Sequence, residues 1–184
     1  MNQGDKFPAL FLDRDGIINF DSGFVWKKEE FVFQDYIFDF CRYFKEKSFK
    51  LVTITNQSGI GRGLFSIEDF HELNDWMLSR FEEEGCGIDL LLASTLDPTN
   101  ESSSSRERSF RKPAPGMILA AEEILNLDLQ NSLLIGDRKS DIEAGLNAGV
   151  KNLFLVNPEL VLGGNHESFK DLRECLVRLK ETFQ

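Results

Sequence analysis

Five short apolar runs punctuate the chain: PALFL (8–12), KLVTIT (50–55), IDLLLAS (88–94), SLLIG (132–136) and NLFLV (152–156). Each is too short for a helix and is rich in aliphatic residues, so each reads as a buried strand. Between and after them, apolar positions recur with a helical period over about 35–47, 67–84, 116–126, 139–148 and 167–182. Ser66 followed by Asp69 makes a capping box with Asp in place of Glu. Gly149 stands where a helix needs a left-handed residue at its C-terminus. Strand, helix, strand, repeated, predicts right-handed βαβ units. The fold class is therefore α/β, a Rossmann-like three-layer parallel sheet covered on both faces. Ligands of such sheets bind beyond the C-terminal strand ends, near the switch point. Asp13, Thr55, Ser94 and Asp137 all fall at those ends.

Two long loops interrupt the pattern. The first, about 16–34, contains NFDSGFVWKKEEFVF and has the length of a flap over the strand ends. The second, 95–112, reads TLDPTNESSSSRERSFRK; its serine run is low-complexity and is expected to be mobile. Neither forms a separate domain, so residues 1–184 read as one, with a core over 8–156 and a C-terminal helix at about 167–182.

Composition narrows the partners. The 184 residues are 41% hydrophobic and 28% charged, as in ordinary globular proteins, and the net charge is -10. A nucleic-acid backbone needs a basic face, so no nucleic-acid partner is expected. An acidic protein still binds small phosphates where a metal and a few cations focus the field. Cys41, Cys86 and Cys175 are odd in number, far apart and without metal-ligand spacing, which suits idle thiols in a reducing compartment. The N-terminus has no signal pattern and no apolar run reaches membrane-spanning length; a cytoplasmic location, without membrane contact, is expected.

Candidate chemistry begins at FLDRDGIIN (11–19), where an apolar run breaks into acid, base, acid and glycine. Residues two apart on a strand share a face, so Asp13 and Asp15 should aim at one spot, with Arg14 pointing elsewhere. Two converging carboxylates repel unless a cation sits between them. The alternative is a charged turn after a strand.

Three more pieces lie on the same sheet edge: TNQSGIGRG after the second strand, RKPAPG before the third helix and GDRKSD after the fourth strand. With DRDG they resemble the haloacid dehalogenase (HAD) superfamily phosphatases. Over about 8–156 the chain is most similar to the D-glycero-D-manno-heptose-1,7-bisphosphate phosphatases and related histidinol-phosphatases. The resemblance implies an HAD fold with minimal or no cap, and Asp13 as nucleophile, forming an aspartyl-phosphate. In the alternative, Asp13 is only a metal ligand and water attacks directly. Asp15 would be the acid and base, offering its backbone carbonyl to the metal. Asp137 would complete a hard oxygen site suited to Mg²⁺, with Asp141 one turn later beside it. Thr55 and Lys112 would serve the phosphoryl group. Asn56, Gln57 and Ser58 form a turn whose amides face an anion. The glycines of GIGRG read as a turn. Arg111 offers a planar fork for a second phosphate. Asp21, Ser22, Gly23 and Phe24 match the family's substrate loop. Arg138 either touches substrate or is a solvated charge. Trp26 is expected to pack on the sheet, and His71 and His166 to be structural or surface residues.

These relatives carry a zinc loop, Cys-x-His and later Cys-x-Cys before the Arg-Lys-Pro. The matching positions here are Ser94, Leu96, Arg108 and Phe110, so no zinc is expected. The function implied is an Mg²⁺-dependent phosphomonoesterase acting on a small phosphorylated sugar. The alternatives are a histidinol-phosphate phosphatase and a catalytically silent phosphate-binding scaffold.

Overall fold

In the computed structural model, which describes residues 6–157, 159–160, 164 and 166–182, the apolar runs become strands. β1 (Ala9–Leu12), β2 (Lys50–Asn56), β3 (Leu90–Ser94), β4 (Leu133–Gly136) and β5 (Asn152–Val156) lie within or beside the expected ranges. The helices are α1 (Ile37–Glu46), α2 (Ser58–Gly61), α3 (Ile67–Glu83), α4 (Ser105–Ser109), α5 (Gly116–Leu125), α6 (Lys139–Ala148) and α7 (Leu172–Thr182). Ser66 caps α3 through the reciprocal bonds with Asp69, and Gly149 ends α6 at φ 83°.

The periodicity misses three elements. The segment expected to open the last helix instead forms β6 (Glu167–Phe169), paired parallel to β5, and α7 begins only at Leu172. A short edge strand followed by a helix carries one blended apolar signal, which hides the boundary. The short helix α2 occupies part of the glycine stretch. The serine loop contains α4, capped by Ser104 and Glu107 in a second capping box. Those serines are helix-starting chemistry as well as low-complexity sequence.

The strands form one six-stranded sheet in the order β3-β2-β1-β4-β5-β6, every adjacent pair parallel. The chain steps from β1 outward through β2 to β3, then returns to β4 on the other side of β1. The switch point therefore lies between β1 and β4. Alternation along β1 divides the core: Leu10 and Leu12 face one layer with Phe40 and Phe44 of α1, Met77 of α3 and Leu179 of α7. Ala9 and Phe11 face the other, with Met117 and Ala121 of α5 and Ile142 of α6. Full burial of a Phe or Leu contributes about 1.5–3 kcal/mol, so both faces hold the sheet. The three cysteines are free and buried. Among the described residues, no helix is long and apolar enough to cross a membrane.

The first loop is anchored at its far end. Phe31 and Phe33 pack with Trp76 of α3 at ring distances of 5.6 Å, and Phe33 meets Phe38 of α1 at 4.8 Å. Trp26 does not lie on the sheet; it stacks on Phe65, at 6.2 Å and 7°, in the turn before α3. The tip of the flap, residues 21–24, is thereby left facing the strand ends.

Candidate active site

β1 and β4 end side by side, and the chain delivers Asp13 and Asp137 one residue past each. Asp13, Asp137 and Asp141 bring one carboxylate oxygen each within 4.8 Å of one another. Gly16 and Gly136 make this possible. A Cβ on Gly16, at φ +102°, would fall 2.3 Å from an Asp137 oxygen, and one on Gly136 would fall 2.2 Å from Asp141 Cβ. Asn157, just past β5, steadies the turn by donating from Nδ2 to the Asp137 carbonyl at 3.0 Å.

Lys112 supplies the buried cation. Its Nζ lies 2.9 Å from Asp13 Oδ1 and 2.6 Å from Asp141 Oδ1, and donates to the Ile54 carbonyl at 3.0 Å. The Arg14 amide also donates to Asp13 Oδ1, at 2.7 Å. Burial pushes Asp13 up to about 8; Lys112 opposes the shift, while Asp141 and Asp137 add to it. Asp137 is pushed up to about 7, first by burial and then by Asp141. Burial alone would lower the Lys112 ammonium, but Asp13 and Asp141 outweigh it and hold it above its ordinary range. Three carboxylates against one ammonium leave excess negative charge. Asp137 Oδ1 is buried with no hydrogen-bond partner. A buried acceptor without a donor, in an all-oxygen group, suits a hard divalent cation.

Asp15 departs from the strand-alternation argument. β1 ends at Leu12, so the period of two does not extend to Asp15, and its carboxylate stands outside the group of three. Nor does Arg14 point away from it. The fully buried Arg14 guanidinium pairs with Asp15 at 3.0–3.2 Å and donates to the Val25 carbonyl of the flap at 2.7 Å. Asn19 Nδ2 (3.0 Å) and Gln57 Nε2 (2.7 Å) complete the hold on Asp15.

A cavity of about 460 Å³ opens over these groups. Asp13, Asp15, Thr55, Lys112 and Asp141 line it, together with Asn56, Gln57, Ser58, Arg62, Arg111, Arg138, Ser140, Asp21, Gly23 and Phe24. Ser22 sits in the flap without lining the cavity. Arg138 pairs with Asp21 at 2.5 Å, so it is a tether for the flap as well as a wall of the cavity. His71 is exposed on α3, and neither it nor His166 lines the cavity.

The turn after β2 is used differently from the expectation. The Gln57 amide donates to the Ser94 carbonyl at 2.7 Å, so it is not turned toward an anion. Gln57 Nε2 also donates to Thr55 Oγ1, at 2.9 Å. Asn56 Nδ2 donates to the Lys112 carbonyl at 3.0 Å and its Oδ1 accepts from the Lys112 amide at 3.1 Å. Of the glycines here, Gly63 (φ +70°) is a turn residue, whereas Gly59 and Gly61 are close-packing positions. A Cβ on Gly61 would meet the Thr95 carbonyl at 2.4 Å.

The serine loop closes on itself. Arg108 donates to the carbonyls of Asn100 (3.2 Å), Glu101 (2.9 Å) and Ser103 (3.3 Å), while Phe110 packs against the core. Arg111, which follows, keeps its place on the cavity wall and donates to the Leu96 carbonyl at 3.2 Å. Sequence reasoning missed Asn19, Arg62, Ser140 and Asn157. Asn19 lies four residues from Asp15 and Asn157 one past a strand end, spacings that carry a signal once the strand ends are known. Arg62, inside GIGRG, carries no such spacing signal.

The chain is similar to known proteins. A HAD-hydrolase-like family model matches residues 109–171. A D-glycero-α-D-manno-heptose-1,7-bisphosphate 7-phosphatase of Campylobacter jejuni is 44% identical over 96% of this chain and 98% of its own. The β-anomer enzyme of Helicobacter pylori (strain 26695) is 41% identical over 94% and 97%. The solved D,D-heptose 1,7-bisphosphate phosphatase of B. bronchiseptica, complexed with magnesium and phosphate, superposes with a TM-score of 0.83. It is 25% identical, covering 96% of this chain and 99% of that one.

Proposed function

The chain belongs to the HAD-like family of heptose-bisphosphate phosphatases, and from that premise we propose that it hydrolyses the 7-phosphate of D-glycero-D-manno-heptose 1,7-bisphosphate with Mg²⁺ as cofactor. The observation that carries this reading is the convergence of Asp13, Asp137 and Asp141 on one spot, with the Lys112 ammonium against two of them.

Phosphate-monoester hydrolysis is among the slowest uncatalysed reactions, needing up to about 10²¹-fold acceleration, whereas one positioned acid or base supplies about 10²–10⁴. Several devices must act together. Both donors on Asp13, Lys112 Nζ and the Arg14 amide, fall on Oδ1, which leaves Oδ2 as the attacking atom. Its attack on phosphorus forms an aspartyl-phosphate and breaks the bond to the sugar oxygen, which takes a proton from Asp15. Asp15 then removes a proton from water, whose oxygen attacks the same phosphorus, releasing phosphate and restoring Asp13. The Thr55 hydroxyl donates to the phosphoryl oxygens, and the Lys112 ammonium, held by Asp13, Asp141 and the Ile54 carbonyl, places its positive charge beside them, where negative charge builds. Asp13, Asp137 and the Asp15 carbonyl would hold Mg²⁺, with Asp141 beside it. When bound, the ion neutralises carboxylate and phosphoryl charge.

The substrate is a small phosphorylated metabolite, and Arg111 gives its second phosphate a bidentate partner. Histidinol phosphate has no second phosphate for it. We expect no zinc in the serine loop, where the Arg108 hydrogen bonds close the chain. Phosphate release should be measured from both anomers of the heptose bisphosphate, the heptose 7-phosphate and histidinol phosphate, with Mg²⁺ and with EDTA. Fastest release from a heptose bisphosphate, abolished by EDTA, supports the reading; faster release from histidinol phosphate overturns it.

A further inference from the structure

Not every cation of the cavity has a place in the steps above. Arg62 follows α2 on the cavity wall. Its Nε lies 3.4 Å from Asp97 Oδ1, and its guanidinium stands 6.0 Å from the ring centroid of Phe24 in the flap. Arg111 is held by the neighbouring residue, through the Leu96 carbonyl at 3.2 Å. Two consecutive loop residues thus pin two guanidiniums on one cavity.

The backing is built for this. Asp97 Oδ1 accepts from the Thr99 amide at 3.0 Å and the Thr99 hydroxyl at 2.9 Å, which fixes the carboxylate facing Arg62. Gly61 lets the end of α2 lie against the loop, since a Cβ there would meet the Thr95 carbonyl at 2.4 Å and the Asp97 amide at 2.8 Å. That approach carries the next residue, Arg62, to Asp97. The two arginines also feel each other. Burial lowers the Arg111 guanidinium from its ordinary range, the charges of Arg62 and Arg138 lower it further, and Asp97 opposes them without outweighing them. Asp97 is the one carboxylate in ion-pair contact with Arg62 among the described residues, and Arg111 contacts a carbonyl only. Lys112, by contrast, is spent on Asp13 and Asp141. The cavity therefore has two cationic parts with separate contacts, and the second carries an excess of positive charge.

We propose that Arg62, acting with Arg111, is a specificity-determining residue that holds the non-reacting phosphate of a bisphosphate substrate. This deepens, and rests on, the phosphomonoesterase reading above. A single carboxylate oxygen at 3.4 Å is a weak hold on a guanidinium. A phosphate dianion offers three oxygens and more charge, and a planar fork takes two of them at once. A monophosphate presents nothing to displace Asp97, so Arg62 discriminates by the charge at the far end of the sugar.

The test is calorimetric binding on an Asp13→Asn background, with Mg²⁺, so that no turnover intervenes. Two pairs serve as probes: heptose 1,7-bisphosphate against heptose 7-phosphate, and fructose 1,6-bisphosphate against fructose 6-phosphate. In at least one pair the bisphosphate is expected to bind more tightly. Arg62→Ala should weaken that bisphosphate about tenfold or more, its monophosphate by about twofold or less, and Arg62→Lys should restore part of the difference. No preference in either pair, or a preference that survives Arg62→Ala, overturns the inference. Failure of the heptose reading looks different: the wild-type enzyme would release no phosphate from heptose bisphosphate, while an Arg62-dependent preference persisted with the fructose pair.

Discussion

Asn56 and Lys112 exchange two hydrogen bonds, side-chain amide to main chain, at 3.0 and 3.1 Å. This joins the end of β2 to the residue whose ammonium touches Asp13, 56 positions later in the chain. Asn56 is thus a positioning residue as much as a wall of the cavity. Asn56→Ala removes both bonds, each contributing about 0.5–1.5 kcal/mol. A urea midpoint lowered accordingly and a kcat reduced about tenfold, with KM less affected, are the expected results. An unchanged kcat would detach Lys112 placement from this clamp.

Asp13→Asn should abolish turnover while leaving the far-ultraviolet circular dichroism intact, because an amide is no nucleophile. Retention of more than about a tenth of wild-type kcat would contradict the covalent route, since one decade corresponds to only about 1.4 kcal/mol. Beryllium fluoride added to the wild-type protein with Mg²⁺ is expected to bind at Asp13.

Gly16→Ala places a methyl group 2.3 Å from the Asp137 carboxylate, at a φ of +102° that L side chains rarely adopt. Loss of most activity is expected, together with loss of the Mg²⁺-induced rise in melting temperature. A variant that melts normally yet no longer responds to Mg²⁺ would locate the damage at Asp137. A normal response would mean the turn relaxes.

Arg108→Ala removes three carbonyl contacts from the serine loop. Limited proteolysis should cut within residues 99–104 several times faster, and KM for the bisphosphate should rise because Arg111 loses its support. Elemental analysis of the wild-type protein should find no stoichiometric zinc. One zinc per chain that resists dialysis would assign the order of this loop to metal.

Asp89 gives a pH prediction away from the site. It accepts from Lys45 at 2.6 Å, Lys50 at 3.0 Å and the Leu51 amide at 2.8 Å, ahead of β3. Burial raises its pKa, but these donors outweigh burial and hold it below its ordinary value. A carboxylate depressed in the folded state stabilises above its unfolded pKa, and that contribution is lost as pH falls through the folded value. Asp89→Asn should therefore cost about 1.5–3 kcal/mol at neutral pH, with the gap from wild type closing below about pH 4. A gap independent of pH would attribute the loss to shape alone.

The sequence by itself determined the layers, the strand ends and which polar residues stand just beyond them. Short aliphatic runs make buried parallel strands, and a parallel sheet places Asp13, Thr55 and Asp137 along one edge. The DRDG, TNQS, RKP and GDRKSD stretches read as one constellation through their resemblance to the family, while local periodicity reaches as far as each strand end and no farther. What only the tertiary structure decided lies past those ends, where backbone direction depends on contacts remote in the chain. Asp15 turns onto Arg14, Asn19 and Gln57 once β1 stops at Leu12. Asn56 closes on Lys112, and Gly61 is required by the backbone of Thr95 rather than by a turn. Arg62 and Arg111, 49 positions apart, meet one cavity because Leu96 and Asp97 hold both. No periodic pattern encodes such contacts; they arise from the packing of loops that each read, alone, as irregular.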